Sequence, residues 1–171
     1  LGLDANLLKE VDRINEKRVL LIIKKIEDAL WVCKNKRIAV LGLAFKCNTD
    51  DIRESPGIKL IRELVKKGSK VNCYDPKAMD NARLELNELG ELLTFSETPY
   101  GAAKQADALV FMTEWPDFIQ CDFKMLKQLM RTPVIVDGRN MLRVEGIEEL
   151  GFWYYCIGRC SCKERMLPFC T

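Results

Sequence analysis

The sequence predicts an α/β fold: a doubly wound, mainly parallel six-stranded sheet preceded by a long N-terminal helix. Three observations carry this. From residue 37 onward, short apolar runs of strand length alternate with stretches of helical period, the pattern of a parallel sheet covered on both faces. Right-handed crossovers between parallel strands then favour a doubly wound order. Before residue 37 lies a single helical pattern of different character, apolar on every side at Val19-Leu-Leu-Ile-Ile23.

The helix runs over 4–31. Asp4 is placed to cap it, and Leu7, Leu8, Val11, Ile14 and Asn15, then Val19, Ile22, Ile23, Ile26 and Leu30, recur at helical spacing. A helix apolar all round is buried on several sides, so a further domain or a second subunit is expected to cover part of it. Lys34-Asn-Lys36 makes a polar joint. Residues 37–43 form the first strand, broken by Gly42. Ser55 is a preferred N-cap and Pro56 a preferred first helical residue. A helix over 56–67 follows, with Ile58, Ile61, Leu64 and Val65 on one face and Gly68 as its stop. The second strand is 70–74, ended by Asp75-Pro76. A helix over 77–89 ends at Gly90, and 92–95 is a weak third strand. A short helix over 98–105 leads to a fourth strand at 108–112. Residues 115–130 contain a helix, clearest over 123–130. Strands five and six are 134–137 and 152–156. The whole is a Rossmann-like arrangement without repeats or low-complexity segments.

The totals bound the function. At 171 residues with 48% hydrophobic, the chain is one domain with an extension and a sizeable core. Twenty-seven basic and 25 acidic residues, well mixed, leave a net charge of +2; this gives no case for nucleic acid or a membrane surface. No apolar run approaches the ~18 residues of a spanning helix, and no signal peptide is read. The start at Leu1 points to a fragment of a longer protein. Histidine is absent, which removes Ser-His-Asp and Cys-His catalysis and every His-containing zinc site from the chain. Eight cysteines scattered through an α/β pattern read as reduced thiols of a cytoplasmic protein.

Ligands of such sheets bind beyond the carboxyl ends of the strands, and four stretches project there. The loop 44–54 exceeds the usual βα length of about 2–6 residues and carries Lys46, Asp50, Asp51, Arg53 and Glu54. It suits an anionic, hydroxyl-rich ligand, lysine as a point charge and arginine as a fork; an ordinary solvated loop is the other reading. Tyr74-Asp-Pro76 places an acid where ribose is often held, but Gly42 stands alone where G-x-G-x-x-G is needed, so a strand-ending turn is favoured. The aromatics of Thr113-Glu-Trp-Pro-Asp-Phe118 are read as core. Asp137-Gly-Arg-Asn140 brings Arg139 toward the same crevice as Lys46, and two cations reaching one cleft form the best anion-site clue. Cys156, Cys160, Cys162 and Cys170 lack the paired C-x-x-C of a zinc site, so no metal site is assigned. A thiol- or metal-binding use of the tail stays as a lesser alternative.

Taken together, Leu41-Gly-Leu-Ala-Phe-Lys46, Thr49-Asp-Asp-Ile-Arg-Glu-Ser-Pro56, Tyr74-Asp-Pro76, Thr113-Glu-Trp115, Asp137-Gly-Arg-Asn140 and Ile157-Gly-Arg159 carry a resemblance. They occur in order, and the chain over roughly 6–159 resembles the C-terminal nucleotide-sugar-binding domain of the UDP-glucose/GDP-mannose dehydrogenase family, on its UDP-glucose branch. The resemblance implies a parent enzyme that oxidises the primary alcohol of UDP-glucose to the carboxylate with two NAD. It implies that residues 1–35 end a central, dimer-building helical region, that 36–159 form the UDP-sugar-binding domain, and that 160–171 are a tail without counterpart. Phe45, Lys46 and Arg139 are implied to contact the UDP-sugar and Arg53 to reach NAD. NAD itself is implied to lie mainly on a separate N-terminal domain. The family's catalytic-cysteine stretch has no match here, so no catalytic residue is assigned and Cys47 is not the nucleophile. The chain alone is expected not to turn over. The alternatives are a dehydrogenase of UDP-N-acetylmannosamine or GDP-mannose, and a stand-alone nucleotide-sugar-binding module.

Overall fold

The computed structural model describes residues 6–158, with side chains from residue 17 onward. Asp4, the side chains of Leu7, Leu8, Val11, Ile14 and Asn15, and Arg159, Cys160, Cys162 and Cys170 lie outside the described residues. Helix α1 (Asn6–Leu30) is followed by β1 (Arg37–Leu41), α2 (Pro56–Lys66), β2 (Lys70–Tyr74), α3 (Met79–Glu85), β3 (Leu93–Phe95), α4 (Pro99–Ala103), β4 (Ala108–Phe111), α5 (Pro116–Ile119), α6 (Phe123–Leu129), β5 (Val134–Asp137), α7 (Val144–Glu149) and β6 (Trp153–Cys156).

The six strands form one sheet in the order β3-β2-β1-β4-β5-β6, with every pairing parallel. The order reverses between β1 and β4, the switch point of a doubly wound sheet. Register aligns the carboxyl ends: Leu41 pairs with Tyr74 and Phe111, Phe111 with Asp137, and Asp137 with Cys156. The motif residues that follow these positions therefore emerge along one edge. The central strands are buried on both faces, as a parallel sheet requires: Ile38–Leu41, β4 and β5 have no exposed area.

Helix α1 lies beside α2 and crosses β5 and β6. Val19, Ile22, Ile23, Ile26, Ala29 and Leu30 are buried, while Leu20 and Leu21 are 58% and 47% exposed. The all-round apolar segment thus splits. Its i, i+3, i+4 positions face the sheet and its other flank is open. Beyond α1, Trp31 has φ 71, and the joint is tied down where the Asn35 N–H donates to the Gly68 carbonyl at 2.8 Å.

Several boundaries differ from the sequence pattern for local reasons. Strand β1 stops at Leu41 because Gly42 turns the chain with φ 97. The helix expected over 77–89 begins later, because the Asp75 carboxylate takes the Lys77 and Ala78 N–H groups in a turn. It also ends early, giving way to a 3-10 turn at Asn87–Leu92 bent at Gly90. Residues 115–130 hold two helices, since Asp122 caps α6 by accepting from the Lys124 and Met125 N–H groups. Helix α7 has no counterpart in the sequence pattern; it has no side-chain cap, and only Val144 and Ile147 are buried in it. Ser55 caps α2 as expected, its hydroxyl accepting from Gly57 N–H at 3.2 Å.

Candidate functional site

The carboxyl edge is built by cross-linking three loops. Gly42 is required twice over. Its φ is 97, and an added Cβ would lie 2.5 Å from the Thr113 nitrogen. The β1–α2 loop then runs into Asp75, which is 1% exposed. One Asp75 oxygen accepts from the N–H groups of Leu43 (2.7 Å) and Ala44 (3.0 Å) and from the Trp115 indole (3.2 Å). The other takes the turn amides of Lys77 and Ala78. Thr113 hydroxyl donates to the Ala44 carbonyl at 2.6 Å. Farther along, Phe45 N–H donates to the Asp51 carbonyl at 2.8 Å and closes the loop on itself.

The third loop follows β5. Asp137 is fully buried and accepts from Arg139 N–H, Leu142 N–H and the Tyr154 hydroxyl at 2.8–2.9 Å. Asn140 exchanges hydrogen bonds with the Ile157 backbone. Arg139 Nε donates to the Met112 carbonyl at 2.7 Å and its guanidinium to the Phe45 carbonyl at 3.1 Å; Nε also lies 3.2 Å from a Glu114 oxygen. The arginine is therefore a strut between loops as well as a cation.

These elements enclose a cleft of roughly 660 Å³ at the switch point. Arg18 and Ile22 of α1, Phe45 and Glu54 of the loop, Lys59 of α2, Met112, and Gly138 and Arg139 are on its wall. Gly138 permits the close approach of α1, since a Cβ there would sit 3.0 Å from the Ile22 methyl. The volume falls within the ~300–1,000 Å³ of small-ligand sites. A second, more open hollow of roughly 670 Å³ lies against α3 and includes Asp51, Arg53 and Asn81.

Of the residues picked from the sequence, Phe45 and Arg139 meet in the cleft. Lys46 is exposed and does not line the cleft, so the wall carries Arg139 without the Lys46 anticipated beside it. Arg53 lines the second hollow, 88% exposed and clamped by Asp51 through Nε (2.9 Å) and a terminal nitrogen (2.8 Å). Those hydrogen bonds, more than simple charge, hold the Asp51 carboxyl down at about 2. Trp115 and Phe118 are core, as read. Arg18 and Lys59 on this wall have no signal in the sequence, and Glu54 is one of five charged residues of the candidate loop with nothing to set it apart. Glu54 stood in a long loop and the other two in helices read for their apolar faces, so only the fold could converge them.

The structure also decides what the crevice does not fit. In a dinucleotide fold the acid after the second strand holds ribose and the first helix N-terminus holds pyrophosphate. Here Asp75 is buried with both oxygens committed, and the N-terminus of α2 is closed by the Ser55 hydroxyl. Gly57 packs there so tightly that a Cβ would meet the Gly42 carbonyl at 2.4 Å. At this switch point the ribose and pyrophosphate positions of a dinucleotide fold are therefore already filled among the described residues. Among the described residues, no group of three or more His, Cys, Asp or Glu side chains is placed to hold a metal ion, and no helix is long and apolar enough to cross a membrane.

Compared with known families, residues 39–144 match the UDP-glucose/GDP-mannose dehydrogenase family, UDP binding domain. The chain belongs to that family. A UDP-glucose 6-dehydrogenase of Rhizobium meliloti is 48% identical over 126 residues, covering 74% of this chain and 28% of the relative. Among solved structures, a UDP-glucose dehydrogenase from Pyrobaculum islandicum is 34% identical with TM-score 0.73, covering 90% of this chain and 32% of the other. A UDP-D-ManNAc dehydrogenase from Pyrococcus horikoshii is 28% identical, also with TM-score 0.73, covering 92% and 35%. The chain spans about a third of the length of the curated relatives it matches. Its six-stranded parallel sheet is the Rossmann-like fold of these dehydrogenases, and the matched segment of the UDP-binding domain holds most of the cleft wall, Phe45, Glu54, Lys59, Met112, Gly138 and Arg139.

Proposed function

We propose that this chain is the substrate-binding C-terminal portion of an NAD-dependent UDP-glucose 6-dehydrogenase, and that the cleft at the switch point receives UDP-glucose. The observation that carries this is the convergence of an exposed aromatic ring, Phe45, and a fixed guanidinium, Arg139, in one ligand-sized cleft of a UDP-binding domain. Phe45 offers an apolar face to a base or sugar, and Arg139 a charge-assisted donor to phosphate. Lys46 adds a point charge beside Phe45, outside the wall. NAD is held mainly by residues beyond this chain, and the exposed Arg53 is the contact this chain supplies to it. The chain holds no group for hydride transfer and is inactive alone. It pairs with an NAD domain and, through the exposed flank of α1 at Leu20 and Leu21, with a second copy; it acts in the cytoplasm. The likeness to the Pyrococcus horikoshii protein supports a second reading, with UDP-N-acetylmannosamine as substrate.

Calorimetry of the chain with UDP, UDP-glucose, GDP-mannose and NAD tests the proposal. UDP and UDP-glucose should bind weakly, GDP-mannose and NAD more weakly still, and no NAD reduction should follow. Arg139→Ala should remove about 1.5–3 kcal/mol of UDP binding. Tighter binding of GDP-mannose than of UDP-glucose, or equal UDP affinity in Arg139→Ala, overturns it.

A further inference from the structure

Two carboxylates stand against cations on the cleft wall, in different settings. Glu114 meets an Arg139 that is already fixed by two backbone carbonyls. Glu54 meets Lys59 in an isolated contact: among the described residues neither side chain makes another hydrogen bond. Their side chains are 79% and 41% exposed. Glu54 has φ 56, a conformation sparsely populated by residues other than glycine. Its carboxylate thus lies over the first turn of α2, against the Lys59 ammonium. Hydrogen bonding to Lys59, then its charge, holds the Glu54 carboxyl below the usual carboxylate range. From α1, Arg18 reaches the same cleft with no ion pair to any described residue. Beside Arg139, the cleft therefore presents Arg18, unpaired among the described residues, and Lys59, covered by a solvated carboxylate.

We propose that Lys59 is a ligand-binding cation and that Glu54 is its placeholder, displaced when the diphosphate of a nucleoside diphosphate enters and meets Lys59 and Arg18 together. This rests on the reading that the cleft takes UDP, and it adds which cations meet the phosphates and what they hold beforehand. An exposed carboxylate–ammonium pair is worth little against solvent, whereas a diphosphate brings more charge and several acceptor oxygens to the same ammonium. Lysine suits this exchange, because its ammonium is a compact point charge on a flexible stem. Anchored at three points, Arg139 can meet a phosphate only where it already stands; Lys59 can move to one. An ordinary surface ion pair would leave ligand affinity unchanged whichever partner is replaced.

The test is calorimetric titration of the full 171-residue chain with UDP, for the wild type, Lys59→Gln, Glu54→Gln, the double variant and Lys59→Arg. Lys59→Gln should raise Kd roughly tenfold. Glu54→Gln should lower it about two- to fivefold, since the competing anion is gone. In the double variant the gain from Glu54→Gln should vanish, and Lys59→Arg should retain most of the affinity. The opposite signs of the two single changes distinguish displacement from a structural role, in which both would weaken binding. Unchanged affinity in Lys59→Gln, or weaker binding in Glu54→Gln, overturns the placeholder while leaving the cleft reading intact, provided Arg139→Ala still loses UDP. No UDP binding by the wild type or by Glu54→Gln overturns both.

Discussion

Replacing Asp75 with alanine should be among the most damaging single changes in the chain. Its carboxylate is 1% exposed and accepts from the N–H groups of Leu43, Ala44, Lys77 and Ala78 and from the Trp115 indole. Lys77 is exposed, so water can replace the acceptor there. Leu43, Ala44, Ala78 and Trp115 are buried, and each donor left without a partner costs about 1–3 kcal/mol. Water entering the vacated space recovers part of this, which leaves a net loss of about 3–5 kcal/mol. That is a large share of the ~5–15 kcal/mol by which a domain is stable. Asp75→Asn keeps the volume and one acceptor oxygen but turns an NH2 toward donors, so its loss should be smaller, about 1–3 kcal/mol. Urea unfolding followed by far-ultraviolet circular dichroism reads both as a fall in midpoint at constant slope. The same carboxylate anchors the residues just before Phe45, so UDP affinity should fall along with stability. A loss in Asp75→Ala below about 1 kcal/mol would refute the idea that these donors depend on one buried acceptor.

Three further outcomes can be checked. Gly57→Ala lies inside α2, where alanine ordinarily gains about 0.5–1 kcal/mol over glycine; here its Cβ would meet the Gly42 carbonyl at 2.4 Å, so the sign should reverse to a loss of about 1–3 kcal/mol, and a raised Tm would contradict the packing. Arg53→Gln should return the Asp51 carboxyl from about 2 toward its ordinary 3.8, read by carboxyl NMR titration. Because the folded value is the depressed one, the pair's contribution is complete above 3.8 and disappears as pH falls through about 2, so the variant should differ from the wild type in pH-dependence only in that acid range. Burial pushes the Cys73 thiol up to about 12. Alkylation at pH 8 should therefore modify the half-buried Cys47 while Cys73 reacts only after unfolding, as peptide mass spectrometry would show; early labelling of Cys73 would be the contrary result.

Periodicity carried most of the fold because the sheet is parallel and doubly covered. Runs such as Ile38-Ala-Val-Leu41 and Ala108-Leu-Val-Phe111 are apolar on both faces and declare themselves without tertiary information. Helix α7 gave little signal because a helix that buries two side chains and lacks a cap writes almost no period. At the site, the motifs pointed to the correct edge, but the motifs alone did not separate ligand-facing from supporting residues. Asp75, Asp137 and Thr113 look chemically competent in a string of letters, yet each is buried and committed to backbone groups. Lys46 and Phe45 are adjacent in sequence, and only the loop's closure on Asp51 decides which one faces the cleft. Arg18 could not be assigned to the cleft before α1 was known to cross β5 and β6.

The packing of α1 separates the unit that is recognisable from the unit that can fold. The family match spans 39–144, whereas Val19, Ile22, Ile23, Ile26 and Leu30 are buried against the sheet and α2 from before it. Beyond it, β6 covers the edge of β5, and Tyr154 completes the Asp137 site. Each of the five α1 side chains contributes about 1.5–3 kcal/mol through burial, so their gross sum rivals the net stability of a whole domain. Trimming the protein to the matched segment 39–144 would strip a layer from one side and a strand from the edge, and the product should precipitate. A proteolytic core of this chain should instead run from within α1 to the end of β6.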